Sequence, residues 1–183
     1  HGLDKMPQGA CVLMVNHQST WETAFLPNLK LRQVWVLKKE LMMLPFFGWA
    51  LAVLRPVPID RKQKRQAMQK VIEEGRQRIE SGYSVILFPE GTRAPADAPL
   101  PFKLGAARLA AALGVPAVPV AHNAGQFWPK RGLMHPGTVQ VVVGAPIDPA
   151  GKTVAEINAA AERWVNDTRA RLVAAEKARR GEA

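Results

Sequence analysis

Short apolar runs bounded by turn-forming residues recur along the chain, and stretches with apolar positions three and four apart separate them. The runs predict strands over 11–15, 33–37, 53–59, 84–88, 117–121 and 139–143. Unbroken apolar character over so few residues is the pattern of a strand buried on both faces. Helical spacing predicts helices over 21–29, 62–81 and 103–113. The middle helix carries Met68, Val71, Ile72, Gly75 and Ile79 on one face with charges between them, and Gly82 is its natural stop. A last helix opens on a capping box, Thr153-Val154-Ala155-Glu156, and aligns Val154, Ile157, Ala161, Trp164, Thr168 and Leu172. That face fits core packing better than a partner site. Strands alternating with helices describe an α/β sheet covered by helices.

Composition narrows the picture to a single domain. The 183 residues, 48% of them hydrophobic, suffice for one sizeable core and fall short of two. Residues 94–101 read as an exposed loop. The lone cysteine, Cys11, excludes an intrachain disulfide and sits in an apolar run as a core residue. Lys plus Arg outnumber Asp plus Glu by 25 to 15, a formal charge of +10, so the molecule is drawn to phosphate-rich surfaces. Nucleic acid is the less favoured of these, because neither zinc-finger spacing nor an aromatic RNA-binding signature is present. The cluster Arg61-Lys62-Gln63-Lys64-Arg65 fits a solvated helix start as well as a headgroup patch. Residues 41–54, rich in Leu, Met, Phe and Trp, follow Lys38-Lys39-Glu40 and are interrupted by Pro45 and Gly48. This run is too short for an ordinary membrane span. It fits either an interfacial element or a buried helix leading into the core.

The densest chemistry is the run NHQSTWE, Asn16 to Glu22. His17 follows an apolar strand, and Glu22 stands where a helix can begin. An imidazole titrates near neutral pH, and a neighbouring carboxylate can fix its tautomer and stabilise the imidazolium. Ser19-Thr20-Trp21-Glu22 equally fits a capping box in which Glu22 reaches back to the Ser19 amide. No Gly-x-Ser-x-Gly elbow occurs, so a basic His17 would activate a substrate hydroxyl rather than a serine of the chain.

Three further segments follow: RPVPIDR at 55–61, FPEGTR at 88–93 and VPAVPV at 115–120. A strand leading into a glycine turn and an arginine makes a reasonable phosphate cradle, since glycine admits close backbone approach and guanidinium binds phosphate oxygens bidentately. In this order the four segments resemble the motif blocks of the glycerolipid acyltransferase family, specifically its 1-acylglycerol-3-phosphate acyltransferases. His122-Asn123-Ala124-Gly125 and Trp128-Pro129 extend the likeness. FPEGTR is its most specific part. Glu22 departs from the aspartate usual at that place, Arg55 stands where glycine is common, and Pro58 replaces a bulkier apolar residue.

The resemblance implies a mixed central sheet flanked by helices and an enzyme that moves an acyl group from a thioester to the sn-2 hydroxyl of lysophosphatidic acid. His17 would be the general base and Glu22 its orienting acid. Arg61, Arg93 and Lys103 would meet the acceptor phosphate, while the Glu90-Gly91-Thr92 turn would line the substrate and offer an oxyanion donor. No metal or organic cofactor is implied; the co-substrate would be acyl-CoA or acyl-acyl carrier protein. The expected partners are a lysophospholipid and an anionic membrane surface, at the cytoplasmic face of the inner membrane. Glycerol-3-phosphate or a lyso-ornithine lipid as acceptor, and a non-catalytic membrane-binding module, are the alternatives. Because the chain begins at His1 rather than methionine, it reads as a catalytic domain lacking an upstream anchor.

Overall fold

A computed structural model describes residues 1–28, 32–53, 56–60 and 64–181. Its centre is a six-stranded sheet. The strands are β1 (Val12–Val15), β2 (Gln33–Lys38), β3 (Val57–Ile59), β4 (Ser84–Leu87), β5 (Ala117–His122) and β6 (Val141–Val143). They lie in the order β3-β2-β4-β1-β5-β6. Only β6 runs antiparallel, pairing Val120 with Val143. The sheet is therefore mixed, as the resemblance implies. β1 is central, with Val12 opposite Val85 on one side and Ala117 on the other. A strand paired on both edges and covered on both faces has no polar side, which is why Val12–Val15 reads as unbroken apolar sequence.

Alternation along the strands divides the core into two layers. Val12, Met14, Val34, Val36, Val85 and Ala117 point to a layer completed by Val71, Leu109 and Ile157. These last residues belong to α3 (Lys64–Glu80), α4 (Gly105–Leu113) and α5 (Val154–Arg180). Cys11, Leu13, Val15, Trp35, Ile86 and Val118 point the other way, onto Leu26 and Phe25. The short helix α1 (Trp21–Phe25) leads into a 3-10 turn at Leu26–Asn28. Of the helix expected over 21–29, the α-helical part covers Trp21–Phe25 and Pro27 lies in the tightened turn that follows, while residue 29 lies outside the described residues.

Of the strand expected over 53–59, Val57–Ile59 forms β3 and Val53 instead closes a further helix, α2 (Phe47–Val53), while residues 54 and 55 lie outside the described residues. A continuous apolar run carries no period by which helix and strand could be told apart. The capping box opening α5 forms as expected, with Thr153 accepting from the Glu156 amide and Glu156 from the Thr153 amide. Its buried face differs in part from the expected one. Ile157, Ala161 and Thr168 are buried, while Trp164 and Leu172 are only partly so, and Asn158, Val165, Arg169, Val173 and Glu176 complete the face.

Parallel strands end at one edge. β1, β2, β4 and β5 all deliver their C-terminal loops there, the place where open α/β sheets bind ligands.

Candidate active site

His17 lies two residues beyond β1. Its ring stacks on Phe88, just past β4, with centroids 4.3 Å apart, and Phe88 in turn meets the edge of Trp35 from β2. His17 Nδ1 lies 2.5 Å from Glu22 Oε2. The other oxygen, Oε1, accepts from the amides of Gln18 and Ser19, each at 2.6 Å. One carboxylate oxygen thus meets the imidazole and the other reaches back to the Ser19 amide, but the capping box itself does not close: the helix N-cap is Thr20, with no side-chain cap hydrogen bond, and Ser19 Oγ accepts from the Trp21 amide instead. Glutamate's extra methylene lets a carboxylate on the first turn of α1 span both tasks. With Nδ1–H donated to Glu22, Nε2 carries the lone pair, and the side chain keeps 26% of its surface exposed.

A second histidine braces this pair. His122, at the end of β5, is completely buried; its Nδ1 accepts from the Ala124 amide and its Nε2–H donates to the Asn16 carbonyl at 2.8 Å. Nε2 also stands 3.3 Å from Glu22 Oε1. Burial holds its pKa below the ordinary histidine value, against the pull of Glu22 and Asn16, so the ring is neutral. Asn16 ties the ends of β1 and β5 together, exchanging hydrogen bonds with the His122 amide and carbonyl through its side chain.

The FPEGTR turn packs on the histidine loop. Glu90 is 2% exposed, and its Oε2 accepts from the His17 amide. Burial raises its pKa to about 7, opposed by the His17 amide and by Arg169, while Glu22 adds to the rise. So enclosed, Glu90 meets the backbone of His17 through this one carboxylate oxygen. Ala94 donates to the His17 carbonyl at 2.8 Å, so both backbone polar groups of His17 are held by this turn. Gly91 has φ of 75°, and a Cβ there would sit 2.6 Å from Lys103 Nζ. Its lack of a side chain both permits the turn and makes room for the ammonium. The Gly91 amide donates to the Phe88 carbonyl within the turn. Arg93 reaches the histidine loop, donating to Thr20 Oγ1 at 2.8 Å. Thr92 and Lys103 are exposed beside it. Arg61 lies outside the described residues.

Sequence reasoning gave no role to Asn16, Gln18, His122 or Arg169. A titratable residue just past a buried parallel strand was the available signal for His122, the same one that marks His17. Arg169 had none, because its helical period was hidden among other charged positions.

At the same edge, beyond β2, Lys39–Met43 forms a 3-10 turn and α2 follows. Leu51 and Gly48 are buried, while Met43, Leu44, Phe46, Trp49 and Val53 are exposed, Phe46 by 77% and Val53 by 80%. The segment thus presents an apolar outer face on a small buried footing. β2 lies two strands from β1, roughly 10 Å. Among the described residues no helix is long and apolar enough to cross a membrane.

At the strand ends a histidine thus pairs with a buried carboxylate and is braced by a glycine turn bearing an arginine. A family model described as Acyltransferase matches residues 1–123, and the chain belongs to that family. Among its relatives, a 1-acyl-sn-glycerol-3-phosphate acyltransferase of Pseudomonas aeruginosa is 45% identical over 175 residues, covering 93% of this chain and 68% of that protein. The Escherichia coli protein of the same name is 32% identical over 146 residues, covering 79% of this chain and 60% of its own length. The crystal structure of the 1-acyl-sn-glycerophosphate acyltransferase PlsC of Thermotoga maritima superposes with a TM-score of 0.75 at 27% identity, covering 93% of this chain and 71% of that one.

Proposed function

We propose that the chain esterifies the sn-2 hydroxyl of lysophosphatidic acid from an acyl thioester, producing phosphatidic acid. The observation that carries this reading is the His17–Glu22 contact of 2.5 Å, with the second carboxylate oxygen already engaged by backbone amides. The shared name of the Pseudomonas and Escherichia relatives supplies the acceptor.

His17 Nε2 takes the proton of the acceptor hydroxyl as its oxygen attacks the thioester carbonyl, and Glu22 stabilises the imidazolium. The tetrahedral oxyanion collapses, the C–S bond breaks, and the thiolate recovers the proton from His17. Because a thiolate is a good leaving group, the base contributes chiefly to the attack. Arg93 and Lys103, with Arg61, take the acceptor phosphate; guanidinium and ammonium beside a glycine turn suit an oxyanion of that kind. Glu90 holds the histidine loop. The donor is acyl-CoA or acyl-acyl carrier protein, and in this reading the 183 residues form one catalytic domain.

The apolar face around α2 seats the domain on an anionic bilayer, at the cytoplasmic face of the inner membrane, and admits the acyl chain. Exposed Met, Phe and Trp flanked by Lys38 and Lys39, on a chain of charge +10, favour that placement. The test is acyl transfer by purified protein with lysophosphatidic acid, glycerol-3-phosphate and a lyso-ornithine lipid, each offered both donors. Phosphatidic acid formation that disappears in a folded His17→Ala variant supports the reading. Transfer only to another acceptor, or transfer unchanged in His17→Ala, overturns it.

A further inference from the structure

Beside the histidine loop, at Gln18, lies a cavity of about 310 Å³. The 94–97 loop, the 125–130 segment and the last turns of α5 enclose it. Its charged lining is Lys130, Lys177 and Arg180 against Asp97. Arg180 is already oriented, its Nε donating to Glu176 at 2.8 Å and its guanidinium lying 5.1 Å over the Phe127 ring. Lys130 and Lys177 are exposed and have no ion-pair partner among the described residues. Lys130 and Lys177 therefore bring more positive charge to the lining than Asp97 offsets.

Gln18 forms the inner wall. It is 1% exposed, and its Oε1 accepts from the Gly125 amide at 3.0 Å, where the absent side chain of Gly125 lets it lie close. Its Nε2 is buried and has no hydrogen-bond partner among the described residues. A buried amide donor left unmade is costly, so a site that keeps one favours an acceptor arriving from elsewhere. Pro95, Ala96, Pro129 and Val173 supply apolar wall beside these polar groups. A cavity of this size with several cations, one amide donor and apolar flanks suits a phosphate carried on a small organic stem.

We propose that this cavity is a second, phosphate-ester binding site, distinct from the Arg93 and Lys103 cluster. Its position gives it a direct line to the histidine loop. The Gln18 amide donates to Glu22 Oε1 at 2.6 Å, so an occupant that holds the Gln18 side chain fixes the loop bearing the dyad. The phosphate could belong to a nucleotide-bearing thioester donor or to a glycerophosphate compound, and the recognising chemistry is the same for both.

The test measures binding alone, so its failure would leave the acyltransferase reading standing. The full chain is titrated with inorganic phosphate by calorimetry and by NMR of side-chain amides, the Gln18 resonance being assigned by its loss in Gln18→Met. Two sites are expected. Lys130→Ala with Lys177→Ala, both exposed positions, should weaken one of them by about tenfold or more and abolish the Gln18 shift, with unchanged circular dichroism. Arg93→Ala with Lys103→Ala should remove only the other. Adenosine 3′,5′-bisphosphate displacing phosphate from the Gln18 site identifies a nucleotide source, and glycerol-3-phosphate doing so identifies a glycerophosphate source. Phosphate binding that vanishes entirely in the Arg93 and Lys103 variant, or a Gln18 resonance that never moves, overturns the proposal.

Discussion

Glu22 does two jobs with two oxygens, and that division can be tested one oxygen at a time. Glu22→Gln places an amide against His17 Nδ1–H and can force the wrong tautomer, so kcat should fall roughly 10²- to 10⁴-fold with little change in KM. Glu22→Asp shortens the reach and cannot hold both the amides and the imidazole at the native backbone positions. It should retain more activity than Gln yet less than Glu; full activity in either variant would remove the orienting role. Glu90 makes a different kind of prediction. Its carboxyl is raised from 4.5 to about 7 on folding, so between those values the native state binds more protons than the unfolded one. Stability therefore falls as pH rises through that window, by about 3 kcal/mol at most. His122 acts oppositely: its lowered pKa means stability falls as pH drops below the ordinary histidine value. Subtracting the profile of Glu90→Gln from that of the native chain isolates the Glu90 contribution. Denaturant melts at pH 5 and pH 8 should give a smaller loss for the variant than for the native chain, and equal losses would exclude a raised Glu90.

At the scale of elements, the sheet edge gathers strand-end loops, and the segment after β2 puts apolar side chains outward. Met43→Glu with Trp49→Glu alters exposed positions, 75% and 66% accessible, so folding should be preserved. Vesicle sedimentation should show weaker binding to anionic bilayers, and transfer from long-chain donors should fall while short-chain transfer is spared. Unchanged sedimentation in the folded variant would move membrane contact elsewhere in the protein. The turn after β4 is tested by Gly91→Ala. A side chain at φ of 75° costs about 1–2 kcal/mol, and the new methyl would displace the Lys103 ammonium, which lies 2.6 Å from its position. The expected result is a raised KM for phosphate-bearing acceptors; a KM unaltered for these would argue that Lys103 does not contact the phosphate.

Over the whole molecule, the last helix closes onto the motif region. Arg169, from α5, is 3% exposed, and its charge acts on Glu90 and Asp97. It lies beyond residues 1–123, the part matched by the family model, yet its charge favours the ionised form of the carboxylate that accepts from the His17 amide. Arg169→Met removes that cation while keeping the bulk. The Glu90 window should then move to higher pH, as read by the same pair of melts, and an unmoved window would separate α5 from the site's electrostatics. Much was legible in the chain beforehand. The apolar runs marked β1, β4 and β5, since a strand covered on both faces has no polar positions to obscure it. FPEGTR and NHQSTWE stood out because a glycine turn, an arginine and a histidine-carboxylate pair are local features, spanning a few residues each. What the sequence could not decide is what depends on distant residues meeting. Placing β4 between β2 and β1 brings Phe88 and Glu90 onto His17, and pairing β5 with β1 brings His122 onto Asn16 and Glu22. Such contacts join residues about seventy to a hundred positions apart, 73 for His17 and Glu90 and 106 for Asn16 and His122. Local periodicity carries no information at that range, so only the packed sheet, with the helices that bury its faces, determines which loops share an edge.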